Sequence, residues 1–231
     1  MTINVIRPFK QVFAGRSAML YVLIGALLTF AGAFAAQFGA LGSIANAIIT
    51  AITIGYMVTV MGNETRANGN FVAALPAWHT NALDLLRRGF SLAFAVFIYG
   101  TIATVFITLS HEVINHVADA TLATGPLLSF LALIYNGVGL VTLVSVGLFL
   151  PMLAAHFANE DSLRSLVDVR TIFAKVFANK LNTLLAVVVS AAVLFASALI
   201  SEIPYGGFAF AGFLSQLVLG SLWAQTYRLA R

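Results

Sequence analysis

The chain is short of charge and has no cysteine. Only 9% of its 231 residues are Asp, Glu, Lys or Arg, against about 25% in a soluble domain. So few polar side chains cannot cover a water-exposed surface. The missing cysteine excludes disulfides, thiol chemistry, iron–sulfur clusters and Cys-based zinc sites. Acidic groups are scarcer than basic ones, eight against twelve, so paired carboxylates for acid–base work have few places to come from.

What the chain has is long apolar runs. The 47 residues from Ser17 to Asn63 carry no charge, and four more long runs follow. A spanning helix needs about 20 mainly apolar residues. The pattern predicts an all-α, polytopic transmembrane bundle in one membrane domain, residues 1–231, with six spans: Ser17–Ala36, Ile44–Met61, Gly89–Ser110, Pro126 to about Leu150, Leu181–Ile200 and about Gly206–Ala224. Pro126 suits a first helical turn, and Pro151 is expected to kink or end the fourth span. Arg7, Lys10 and Arg16 ahead of the first span resemble a signal-peptide n-region, and Ala33-Phe34-Ala35 resembles a cleavage site. The apolar stretch is longer than the usual h-region of about 7–15 residues, which favours an uncleaved span.

All twelve basic residues fall on one side of this threading, in the N-terminal tail, the second-to-third connection, the fourth-to-fifth connection and the C-terminus. The other side holds Glu112, Asp119 and Glu202. This bias predicts an inner (cytoplasmic) membrane protein with both termini cytoplasmic. It makes the net charge of +4 a topology signal and an attraction to anionic lipid rather than to nucleic acid. Trp78, Trp223 and Tyr227 are expected near the inner interface and Tyr205 near the outer one, with Arg87 and Arg88 anchoring beside Trp78.

Each pair of spans follows a basic amphipathic segment, so three short helices are expected in the cytoplasmic interface plane. Their apolar faces are Val5, Phe9, Val12 and Phe13; then Trp78, Ala82, Leu85 and Leu86; then Leu163, Leu166, Val167, Phe173 and Phe177. Val12-Phe13-Ala14-Gly15-Arg16 matches Val176-Phe177-Ala178-Asn179-Lys180, with Phe9 and Phe173 at the same offset. The match points to a threefold hairpin repeat, or to anchors under one shared physical constraint.

Catalytic motifs are absent. His111 and His116 stand five apart, too far round a helix for the two-His zinc-protease motif, in what reads as a short outer loop. The four histidines lie at span ends or in loops, which disfavours haem. No catalytic residue, cofactor or metal is expected. No span interior carries Asp, Glu, Lys, Arg or His, which disfavours ion-coupled pumping. The polar groups within spans are modest, and Tyr56, Tyr135 and Asn136 are the candidates for helix packing or ligand contact. Small-residue stripes at Ala31, Ala35 and Gly39, and at Gly32 and Ala36, let helices approach closely.

Gly55-Tyr56 closes a span, a polar loop leads to Leu75-Pro76-Ala77-Trp78, and Arg88-Gly89-Phe90 opens a span bearing Tyr99-Gly100. Leu150-Pro151-Met152 follows later. Over roughly 44–200 this pattern resembles the prokaryotic membrane-protein family catalogued as domain of unknown function 4013. The chain departs from it in having few acids around Leu-Pro-Ala-Trp. The resemblance implies a polytopic bundle and brings no reaction.

Three functions stay open. The first is a non-enzymatic accessory or scaffold subunit of a larger membrane complex, with other membrane subunits or copies of itself as partners besides the lipid bilayer. The second is a permease, or the membrane component of a transporter, for a small or lipid-like molecule. The third, least supported, is a lipid head-group enzyme using Asp84, His156, Glu160 and Asp161.

Overall fold

The computed structural model describes residues 2–13, 17–67, 75–78, 82–120, 125–204 and 206–230. Among these residues the fold is all helical, with no strand. The helices are α1 (Ile6–Phe13), α2 (Ala18–Ala35), α3 (Gly39–Arg66), α4 (Ala82–Ala120), α5 (Pro126–Glu160), α6 (Val169–Ala178), α7 (Lys180–Ser201) and α8 (Gly207–Leu229), with 3-10 turns at Ala36–Phe38 and Leu163–Val167.

Among the described residues, five helical stretches are long and apolar enough to cross a membrane: Ala18–Arg66, Ala82–Ala120, Pro126–Glu160, Lys180–Ser201 and Gly207–Leu229. The chain is thus of the multi-pass membrane type. The first stretch is not one rod. The 3-10 turn Ala36–Phe38 and the positive φ of Gly39, 70°, reverse the chain. α2 and α3 then pack antiparallel: Gly42 lies on the Ala35 carbonyl and Gly32 against Asn46 and Ile49. A β-carbon at Gly42 would overlap that carbonyl, so glycine is what allows this tight hairpin.

Two expected boundaries move. α4 continues past Ser110 to Ala120, placing His111 and His116 on a helix rather than in a loop. No Gly or Pro stands between Ser110 and Gly125, so no helix breaker stops α4 earlier. With 39 residues α4 is about 58 Å long, against roughly 30 Å of hydrocarbon. Pro151 neither ends α5 nor marks its last turn: the helix runs on to Glu160. A proline ring crowds the carbonyl four residues earlier. That residue is Gly147, with open space around it, so the turn has room to adjust.

The chain divides into two compact units, residues 1–93 with 151–231, and residues 94–150. In the first unit α8 is central, packed by α1, α2, α3 and α7. It runs antiparallel to α2, with Gly25 under the Phe213 ring and Phe30 beside Phe208. It runs parallel to α3, with Gly220 on Met57 and Met61. Every residue from Ser221 to Tyr227 is buried. α3 and the start of α4 cross at backbone contact, Gly55 on the Leu85 carbonyl and Gly89 on that of Ala51. The second unit is a hairpin of the rest of α4 with most of α5, joined by Tyr99 on Phe149 (ring centroids 4.8 Å) and His111 on Tyr135 (4.8 Å).

Among the described residues, two of the three expected interfacial helices are separate elements. α1 precedes α2 and α6 precedes α7, but the segment from Ala82 is simply the start of α4. The matched residues share environments: Val12 and Val176 are buried, Phe9 and Phe173 are 39% and 38% exposed, and Phe13 and Phe177 are 57% and 60% exposed.

Candidate functional site

α1 is folded opposite to a soluble amphipathic helix. Its buried face is Arg7, Pro8, Gln11 and Val12, while Ile6, Phe9 and Phe13 face outward. Lipid accepts the phenylalanines outside, and the polar groups find what they need inside. Backbone amides hold the entry to α1: Ile3 N–H donates to Asn182 Oδ1 (3.0 Å) and Asn4 N–H to Gln225 Oε1 (3.3 Å).

The centre of this polar layer is Glu64, fully buried in the last turn of α3. Arg7 Nε lies 2.8 Å from its carboxylate, and Arg228 Nη1, from the end of α8, lies at 3.8 Å. Arg228 also donates to the Ala67 carbonyl (2.7 Å). Glu64 therefore ties together the first and last helices. One turn further along α1 is Gln11, and Ser221 and Gln225 occupy successive turns of α8. All three are buried. Among the described residues neither amide atom of Gln11 finds a hydrogen-bond partner, nor does Gln225 Nε2 or Ser221 Oγ. The unit thus carries polar capacity that its own side chains leave unused, which is rare in buried groups.

Beside this layer His156 Nδ1 meets the Tyr227 hydroxyl at 2.8 Å, and His156 Nε2 lies 3.8 Å from Asp168. Lys175 sits 5.0 Å from the Tyr227 ring centroid and donates to the Ala230 carbonyl (3.1 Å). Asp168 caps α6, and hydrogen bonds from Thr171, side chain and backbone, hold its carboxyl below the usual aspartate range. Arg87 and Arg88 both grip Asp161, at 3.3 and 2.6 Å. Asp161 ends α5 with φ of 50°, a conformation Asp tolerates better than most side chains. No group of three or more His, Asp or Glu among the described residues is placed to hold a metal.

The residues singled out from the sequence are dispersed. Tyr56 and Trp78 come together: the rings stack at 4.0 Å and 6°, Tyr56 donates to the Pro76 carbonyl (2.7 Å) and the Trp78 indole N–H to the Tyr21 carbonyl (2.9 Å). Their packing explains the spacing of Gly55-Tyr56 and Leu75-Pro76-Ala77-Trp78. Trp223 is buried, and Ser190 Oγ on α7 accepts its indole N–H at 3.0 Å. Tyr135 and Asn136 belong to the second unit, where Asn136 is exposed and has no partner among the described residues. Tyr205 and His79 lie outside the described residues.

Sequence reasoning missed Arg7, Gln11, Glu64, Gln225 and Arg228 as a group. The signal was there in part: Arg7 and Gln11, and Ser221 and Gln225, each stand four apart, on one face of their helices.

No curated protein and no solved structure matches the chain. A family model, "Protein of unknown function (DUF4013)", matches residues 38–205. That segment holds Tyr56, Glu64, Trp78, the Arg87–Arg88–Asp161 clasp and His156, while α1, α2 and α8 lie outside it. With most of its length matched, the chain belongs to the DUF4013 family.

Proposed function

We propose that this protein is a non-enzymatic accessory or scaffold subunit of a larger inner-membrane complex. It crosses the bilayer six times, with α2 and α3 as separate spans and both termini cytoplasmic. The α2–α3 hairpin supports the sixth span, and the one-sided basic residues support the orientation. The shared environments of Phe9 with Phe173 and Val12 with Val176 support descent of α1–α2 and α6–α7 from one repeated unit.

The observation that carries the subunit reading is Asn136. It lies on the exposed face of an apolar helix, with Gly137 and Gly139 beside it open to close approach. A primary amide facing hydrocarbon lacks water and calls for a helix that supplies a donor and an acceptor. That helix belongs to another subunit or a second copy.

Extraction in mild detergent, capture by a C-terminal tag and mass measurement of the intact assembly tests this. A stoichiometric assembly that dissociates on Asn136→Leu supports the proposal. A monomer carrying only lipid overturns it and favours a permease, a reading to which the buried Gln11, Ser221 and Gln225 lend support. Flux of small polar solutes into proteoliposomes, abolished by Gln11→Leu, would establish that alternative.

A further inference from the structure

The described basic side chains of the first unit fall into two sets, apart from Arg164, which is exposed and interacts electrostatically with Asp168. Arg7, Arg66, Arg87, Arg88, Lys175 and Arg228 are engaged with carboxylates or carbonyls. Lys10 on α1, Arg170 on α6 and Lys180 at the start of α7 are exposed and have no partner among the described residues. Each stands among exposed apolar side chains: Ile6, Phe9 and Phe13 around Lys10, and Val169, Phe173, Phe177 and Leu181 around Arg170 and Lys180.

These segments meet, since Ile3 N–H at the entry to α1 bonds Asn182 in the first turn of α7. Only Asn179 separates α6 from α7. The exposed phenylalanines therefore continue directly into the outward side of α7, where Leu181 and Leu184 are 66% and 61% exposed. A surface of aromatic rings and free cations at the mouth of a spanning helix matches the boundary between acyl chains and head groups. Arg170 and Lys180 also occupy first helical turns, where the helix dipole adds to their positive field instead of balancing it. An external anion resolves both.

We propose that α1, α6 and the first turn of α7 form a docking surface for anionic phospholipid, with Phe9, Phe13, Phe173 and Phe177 among the acyl chains and Lys10, Arg170 and Lys180 on the phosphates. This surface fixes the depth of the bundle and is distinct from the Asn136 face invoked above.

The test uses the full chain in nanodiscs of phosphatidylcholine with spin-labelled phosphatidylglycerol or spin-labelled phosphatidylcholine. The fraction of motionally restricted lipid gives the selectivity for the anionic head group. The native chain should prefer phosphatidylglycerol, and each cation removed should lower that preference about fivefold at most. The triple variant Lys10→Gln, Arg170→Gln, Lys180→Gln should approach no preference. All three positions are exposed, so folding should persist. Arg87→Gln, on α4 and outside this surface, should change little. Absence of preference in the native chain, or an unchanged preference in the triple variant, overturns the proposal. So does loss of a co-purifying protein from the triple variant with lipid selectivity intact, which would assign the surface to an acidic protein. Failure of the Asn136 experiment leaves this result untouched.

Discussion

The helix α5 lives in two environments. Met152 to Ala158 are all buried, whereas Leu133, Leu140, Val141 and Leu143 earlier in the same helix are each more than 60% exposed. Both stretches are mainly apolar. The contrast extends to the units: the first buries Glu64, Arg7, Gln11 and Gln225 at its centre, and the second exposes leucine, valine and phenylalanine on nearly every turn. In water, hydropathy and burial run together. In lipid they separate, because hydrocarbon outside is as apolar as the core, and packing and hydrogen bonds decide what goes in.

The sharpest way to break this contrast is to remove the centre of the first unit. Glu64→Ala leaves Arg7 and Arg228 without their carboxylate and should cost about 3–5 kcal/mol, read as a lowered midpoint of unfolding in mixed detergent. Asn136→Leu in the second unit should leave that midpoint in place, and an equal loss would erase the distinction. Glycine gives the next largest contrast. Gly89→Leu drives a side chain into the Ala51 carbonyl and should cost about 1–3 kcal/mol or more. Gly100→Ala and Gly147→Ala meet open space and should be neutral or raise stability by about 0.5–1 kcal/mol through helix propensity. Tyr56→Phe removes one hydrogen bond to Pro76 and keeps the stack on Trp78, for a loss of about 1 kcal/mol.

Smaller effects should come from the rim. Asp161→Asn weakens a partly exposed clasp on Arg87 and Arg88 and should cost no more than about 1 kcal/mol, less at high salt. Asp168 is held ionised, so its folded carboxyl titrates below the unfolded one. Its contribution is complete above the ordinary aspartate value of about 3.9 and is lost as pH falls through the depressed folded value. Comparing acid melts of Asp168→Asn and the native chain should show a shallower acid limb in the variant.

Which segments are helical was legible because apolar runs of this length leave few alternatives. The Gly55–Tyr56 and Pro76–Trp78 spacing was legible as a motif, although its meaning, a stacked pair closed by carbonyl hydrogen bonds, was not. The direction in which α1 faces was hidden. The sequence shows an amphipathic helix, but the same pattern lies flat with phenylalanine inward or stands against a bundle with arginine inward. Only the partners on α3 and α8 decide, and those residues are more than fifty positions away. The partner of Trp223 was hidden for a related reason: nothing near it in the sequence shows that Ser190, on another helix, accepts its indole N–H.

The central position of α8 also orders events in time. The ribosome completes α3 at Arg66 and reaches Gly207 only after some 140 further residues, roughly 10–30 s at ordinary elongation rates. Until then α2, α3 and α7 have no axis to pack around, and Glu64 lacks Arg228. The newborn chain must therefore wait in the membrane with its acidic centre half-clasped, open to chaperones and proteases alike. A change that slows the arrival of α8 would then reduce how much protein accumulates without altering the stability of what does.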